Sequence, residues 1–296
     1  MTTVFERFGL PSRVVRNRTE GYALELEVEF EEPCDLNHDM FTTTHDGSLM
    51  NYGYEYVSRG PFSIDDLVSG ADEVFEQYPD TYVDTERTST HVHVNVQNWT
   101  PDALLSVLCT YYLVEDLLFN FAGRERLHNL YCLPITAAEG SIDYLDNLYE
   151  DNLRECRNMF DQVKYAALNV ANITRLGTIE FRHMRGLRDT ETLEKWLRLI
   201  ECIVESRRRF RTPEQVWDAY LANPVEFAKG IFGEHFDAVD DAELEYRLDM
   251  SYSVVYRLLT MNERSDIRKQ DMPRFHNYIF RDEQFYDDHD NERNFL

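Results

Sequence analysis

The chain has 296 residues, 43% of them hydrophobic, and sets 55 Asp and Glu against 30 Lys and Arg, a formal charge of −25. That apolar share suffices for a sizeable core, and the acid excess argues against a nucleic-acid backbone as partner, because displacing its counterions takes a basic face. Lysine occurs only at Lys164, Lys195, Lys229 and Lys269, an acid-rich and lysine-poor surface that fits high salt or a GC-rich genome equally.

In chain order, residues 1–20 form a lead with Glu6 and several arginines but no apolar run, so no secretory signal is expected. Residues 21–33 predict a strand. Its side-chain period of two puts Glu25 and Glu27 on one face and Leu24, Leu26 and Val28 on the other. Glu29 and Glu31 continue the acidic row and are expected to be mostly solvated. Residues 41–58 predict further strand, interrupted by His45-Asp46-Gly47-Ser48, where Asp-Gly is also an ordinary turn signal. In the strand predicted over 89–97, His91, His93 and Asn95 oppose Val92, Val94 and Val96.

Thr100 and Pro101 open a helix over 101–122 that Gly123 can close. Glu115 and Asp116 at its middle make it a packed helix rather than a membrane span. A helix over 141–163 follows, then a strand pair near 165–170 and 177–185, whose connection holds Asn172 and Gly177. Thr178, Glu180 and Arg182 oppose Ile179 and Phe181 in the second of these. Helix 190–209 buries Leu193, Trp196, Leu197, Ile200 and Ile203 on one face, and its last turn carries the tight basic run Arg207-Arg208-Arg209. Thr212-Pro213-Glu214-Gln215 reads as a capping box, and Asn223-Pro224 starts another helix. Five scattered cysteines, at 34, 109, 132, 156 and 202, suggest reduced thiols in a cytoplasm. Strands and helices out of regular alternation predict an α+β domain with a mainly antiparallel, cupped sheet backed by helices.

Three strands thus carry an oily face and a face of carboxylates and imidazoles. Should they pair, the carboxylates converge and repel, and such a cluster calls for cations. Neutralising one of its glutamates, Glu180 for example, is then expected to relieve that repulsion.

The order Glu-x-Glu, Asp-Gly-Ser, Glu-x-Val-Ser, His-Val-His-Val, Tyr-x-x-Leu-Asn and Thr-Ile-Glu-Phe-Arg resembles the amidoligase family of the glutamine synthetase and glutamate-cysteine ligase superfamily, over about residues 21–210. Arg126-x4-Tyr131-Cys132-x-Pro134 and the helix around Trp196 match as well. Departures are Ala23 where the family has Gly, and Thr88-Ser89-Thr90 where it tends to show Cys-Gly. Members often occur in phages. The resemblance implies a glutamine synthetase-like catalytic fold, ATP and Mg²⁺ (or Mn²⁺) as cofactors, and a small-molecule or peptide carboxylate and an amine as substrates.

Carried over by motif, Glu25, Glu27, Glu55, His93 and Glu180 hold metal, and Arg182 faces the transferring phosphate. Asn169 helps bind the nucleotide. Glu55 and Asp46 take catalytic roles, and Asp46, Ser48 and His91 meet substrate. The domain reading is a lead at 1–20, a catalytic domain at 21–210, a helical extension at 211–279, and a mobile charged tail at 280–296. Superfamily relatives are often oligomeric, and no membrane contact is expected.

Two other readings are kept. His-x-His could donate two zinc ligands in a hydrolase, with a third from Glu25, Glu55 or a cysteine, although no His-Glu-x-x-His or Cys-x-x-Cys is present and the glutamate excess favours a hard ion. The charge also permits a non-catalytic acidic interaction protein. A nucleophilic Cys132 beside His128 lacks partners for acyl transfer.

Overall fold

The computed structural model describes residues 2–10, 19–33, 38–45, 47–83, 85–249 and 252–260; Asp46, Cys34 and the segment 280–296 lie outside them. In chain order the elements are α1 Val4–Arg7, β1 Tyr22–Phe30, β2 Phe41–Thr44, β3 Tyr52–Ser58, α2 Ile64–Phe75, β4 Tyr82–Val83, β5 Ser89–Asn95 and α3 Pro101–Ala122. Then come a 3₁₀ turn Arg124–His128, α4 Gly140–Tyr149, α5 Leu153–Val163, β6 Leu168–Asn169, α6 Asn172–Leu176, β7 Thr178–Arg185 and α7 Thr190–Arg209. The chain continues through α8 Pro213–Ala222, α9 Pro224–Phe232, a 3₁₀ turn Gly233–Ala238, α10 Leu244–Asp249 and α11 Tyr252–Thr260.

Seven strands form one antiparallel open sheet in the order β2-β3-β1-β5-β7-β6, with β4 beside β1. The fold is α+β. Leu24, Leu26 and Val28 of β1, Val92 and Val94 of β5, and Ile179 and Phe181 of β7 are all buried on one face. Against that face lies α3, its Tyr111 ring edge-on to Phe181. This helix is long and apolar enough to cross a membrane, yet 89% of its most apolar window is buried inside the fold. One hydrophobic cluster runs from Val4 in α1 to Leu259 in α11, so the helices after residue 210 share the core of the sheet. At 25 cal/mol per Å² or so, burial on that scale is what offsets the entropy of ordering the chain.

The amphipathic pattern placed α3 and α7 correctly because each buries a wide apolar stripe and has its own start signal, Thr100 and Asp189. Elsewhere local signals lost. The helix expected over 141–163 breaks in two at Asp151, whose φ of 63° is left-handed, and Asn152 caps the second half. The stretch 41–58 does form two strands, β2 and β3, paired antiparallel as the interruption at 45–48 suggests. Helix α2 was not foreseen, although Ser63 caps it and Ile64, Leu67, Ala71 and Val74 are spaced for one buried face. The capping box at Thr212 does not form: Gln215 accepts from the Arg211 amide instead.

Glu29 also departs from expectation. Rather than being solvated it is fully buried, accepting from the Met50 amide at 2.7 Å and from Asn51 Nδ2 at 3.0 Å, while Glu31 is exposed as expected. Asn51 reaches it from a left-handed conformation, φ 51°, which asparagine tolerates. Glu29 therefore anchors the turn into β3.

Beneath the sheet, Asp116 of α3 accepts from Arg124 at 2.7 Å and from Arg247 of α10 at 3.0 Å. Arg247 also pairs with Asp241 at 2.6 Å. Removing one partner of a buried pair strands the other charge, so Arg247→Met should cost about 2–4 kcal/mol in urea unfolding. A shared core further predicts one cooperative transition; a separate early transition for the C-terminal helices would contradict it.

Candidate active site

Strand register builds the site in three rows on the face opposite α3. In the first, Thr44, Glu55 and Glu27 are paired across β2, β3 and β1, and Ser89 of β5 pairs with Arg185 of β7. In the second, Val57, Glu25 and His91 line up, with Arg182 next to His91 at a β-bulge. The third runs Ala23, His93, Glu180, Asn169 across β1, β5, β7 and β6. Four strands that ascend separately in sequence thus deliver side chains at one spot. It is nearly dry: His91, His93, Glu27 and Glu180 are all buried.

Ligand atoms of Glu25, His93 and Glu180 all lie within 4.8 Å of one another. His93 Nε2 is 2.9 Å from Glu25 Oε1 and 4.0 Å from Glu180 Oε1. The first is an ion pair off hydrogen-bonding geometry and the second is too long for a hydrogen bond, so this buried nitrogen lies between the two carboxylates without a hydrogen bond to either. Nδ1 of the same ring meets Thr178 Oγ1 at 3.0 Å, fixing the ring so that Nε2 faces the carboxylates. One imidazole and two carboxylates, rigidly held with a spare nitrogen between them, fit a divalent cation with oxygen-rich coordination.

Glu180 is held from behind. Its Oε2 accepts from Asn169 at 2.7 Å and from Asn172 at 2.6 Å, and its Oε1 accepts from Arg182 Nη1. His91 Nδ1 stands 3.3 Å from both Glu25 Oε2 and Glu180 Oε1, and its Nε2 is 2.7 Å from Ser89 Oγ, which also donates to Glu27. Arg182 Nε donates to the Tyr131 carbonyl at 3.2 Å. Glu27 and Glu55 lie directly opposite each other, one row away from the three-ligand cluster. Thr44 donates to Glu55 at 2.7 Å.

Charge explains the protonation pattern. Burial alone pushes His93 down, but Glu25 and Glu180 outweigh it and raise the imidazole to about 9. For Glu25, burial acts upward, and His93 and His91 outweigh it to hold the carboxyl well below its usual range. Glu180 is lowered too, by Arg182 and the imidazoles against its burial. Glu55 goes the other way: burial, then the charges of Glu25 and Glu27, raise it to about 7. In the metal-free protein a proton on His93 therefore stands where a cation would, between two ionised carboxylates.

Of the residues singled out by sequence, Glu25, His93 and Glu180 meet directly, with His91 and Arg182 against them. Asn169 spends its amide on Glu180, which makes it a support of that carboxylate. The Ser48 carbonyl accepts from Arg87. Sequence reasoning missed Asn172, Ser89, Thr44 and the Tyr131 carbonyl. Ser89 was legible, being two residues before His91 in the same alternation; Asn172 was not, because its contact depends on α6 turning back toward β7. Burial raises the Cys132 thiol to about 12, the opposite of an activated nucleophile.

The family description "Putative amidoligase enzyme" matches residues 31–204, more than half of the chain. The chain belongs to that family. It is thereby an enzyme of the ligase type. The matched span holds Glu55, His91, His93, Asn169, Glu180 and Arg182, whereas Glu25 and Glu27 precede it and owe their place in the site to the register of β1 with β3 and β5. No curated protein matches the chain.

These shifts correct one expectation and set a pH profile. Glu180 is well compensated, so Glu180→Gln should destabilise metal-free protein by about 2–3 kcal/mol rather than relieve it. Relief belongs to Glu55, whose ionisation the fold opposes. Because Glu55 is raised from 4.5 to about 7, metal-free stability falls as pH rises through that window, and buried Glu115, also raised to about 7 by burial, adds to the fall. His93, raised from 6.5 to about 9, contributes stability that is complete below 6.5 and lost as pH climbs through 9. Glu55→Gln should therefore raise the melting temperature in chelator at pH 8 and leave it nearly unchanged at pH 4.5. Equal shifts at both pH values would contradict the assignment.

Metal must displace the His93 proton, so calorimetry at pH 7.5 in buffers of different ionisation enthalpy should show release of about one proton per Mn²⁺ bound. His93→Ala should weaken Mn²⁺ far more than His91→Ala, because only His93 presents an unengaged nitrogen to both carboxylates.

Proposed function

We propose that this protein is an ATP- and Mg²⁺-dependent carboxylate–amine ligase working through an acyl phosphate. The observation that carries the reading is the dry convergence of Glu25, His93 and Glu180 beside an arginine whose Nη2 makes no hydrogen bond to a described residue. Glu25, His93 and Glu180 would hold Mg²⁺ (Mn²⁺ as substitute), with Glu27 and Glu55 available one row away for a second ion. Such ions, when bound, screen phosphate charge and stabilise it as it shifts during transfer.

The chain's own groups then divide the work. Arg182, always protonated and oriented by Tyr131, binds oxygens of the transferring γ-phosphoryl group. A substrate carboxylate oxygen attacks that phosphorus as the bond to ADP breaks. An amine nitrogen next attacks the acyl carbon, phosphate leaves with the carboxylate oxygen, and the nitrogen gives up a proton. Glu55, raised to about 7 in the metal-free protein, is the carboxylate proposed to take it where no second ion engages that side chain. Burial of the face keeps water from the acyl phosphate. The loop around Asp46 and Ser48 is proposed to meet the amine, and His91 the carboxylate.

Mg²⁺ with a non-hydrolysable ATP analogue should raise the melting temperature more than either alone. Glu180→Gln should abolish that synergy and ADP formation, with exposed Glu31→Gln as the control. Stabilisation by Zn²⁺ without any nucleotide effect would favour a hydrolase, and no shift with any of them a binding protein.

A further inference from the structure

Antiparallel pairing of β5 with β7 is irregular at one point: Val92 pairs with Phe181 and Thr90 with Met184, so His91 faces two residues, Arg182 and His183. Strict alternation would send Arg182 and Met184 to one face. Arg182 keeps the carboxylate face that alternation from Glu180 gives it, while His183 and Met184 are both buried in the core. Bulges of this kind re-aim a side chain, and they leave backbone groups off the ladder that something must satisfy.

Here that partner is a single side chain. Arg126, buried on the 3₁₀ turn after α3, donates from Nε to the His183 carbonyl at 2.7 Å and from Nη2 to the Arg182 carbonyl at 3.1 Å. Among the described residues no carboxylate pairs with it, in a chain with 55 of them. A buried guanidinium without a counter-ion is costly and needs a compensating role. Its fork spans the two carbonyls of the bulge, which an ammonium cannot do in the same geometry. The same segment supplies the Tyr131 carbonyl to Arg182 Nε. Backbone and guanidinium of Arg182 are thus gripped from one loop.

We propose that Arg126 is a positioning residue: by clamping the carbonyls of Arg182 and His183 it fixes the bulged backbone of β7 from which the Arg182 guanidinium reaches the carboxylate cluster. It touches neither metal nor substrate. The inference rests on the ligase reading only for what Arg182 does once aimed.

The test follows the Arg182 Nε–H signal by NMR, assigned by its loss in Arg182→Lys. In the parent it should be protected from exchange by the Tyr131 carbonyl; in Arg126→Met it should exchange rapidly, with the far-UV spectrum unchanged. If Arg126→Met does not fold, Arg126→Lys carries the same test, since it keeps the charge and loses the fork. Calorimetry adds a functional split. Mn²⁺ alone should bind within about twofold of the parent, while the affinity for Mg²⁺ with an ATP analogue falls about tenfold, the loss expected for a misplaced charged hydrogen bond. In an Arg182→Ala background Arg126→Met should change nothing further. Undiminished Nε–H protection in a folded Arg126 variant overturns the proposal. So does the same loss of nucleotide affinity with Arg182 already removed. If the parent binds no nucleotide, the ligase reading falls, and the NMR measurement still decides the role of Arg126.

Discussion

Two ionised carboxylates, Glu25 and Glu180, face each other across one imidazole on a nearly dry sheet face, and the rest of the structure is arranged to make that tolerable. Unscreened, such a pair would shed its charge by taking up protons. It is kept ionised by a proton on His93, by Arg182, and by the amides of Asn169 and Asn172. Each of these comes from a different stretch of chain. The cluster can therefore exist only after β1, β5, β6 and β7 have assembled, so site and sheet form together.

That dependence explains the division of the sheet. One face is mainly apolar and rests on α3, whose buried residues include Leu104, Leu108, Val114 and Leu118. Such burial supplies the stability that the polar face consumes. Helices α7 to α11 enlarge the same core, and the Asp116–Arg247 pair ties α10 to α3 directly beneath the sheet. Stability and chemistry are thus segregated by the two-residue period of the strands, with β7 contributing to both.

Electrostatically the site inverts the character of the chain. A surface of net charge −25 repels anions, yet the phosphates and carboxylates of the proposed reaction are anions. Arginine at the cluster, joined in the proposed reaction by cations, makes a local exception that long-range charge does not reveal. Glu55 sits at the edge of this exception, where neighbouring carboxylates oppose its ionisation and Thr44 only partly compensates.

By itself the sequence determined which side chains share a face. Alternation in Glu25-Leu26-Glu27, His91-Val92-His93 and Glu180-Phe181-Arg182 is a local property of extended backbone, so the polar residues of the sheet face, the α+β class and the long helices α3 and α7 could be read directly. Tertiary structure decided the rest. Register across β1, β5 and β7 selected Glu25, His93 and Glu180 as the close trio and set Glu27 and Glu55 a row apart. A loop closed over Glu29, making an anchor of what alternation alone would leave solvated. Asn172 reached Glu180 through the turn of α6. Past Arg182 a bulge broke the period of two, sending both His183 and Met184 to the core, and the Arg126 fork that bonds its carbonyls comes from 56 residues away. Contacts between segments remote in sequence depend on how elements pack, and no local pattern encodes that geometry.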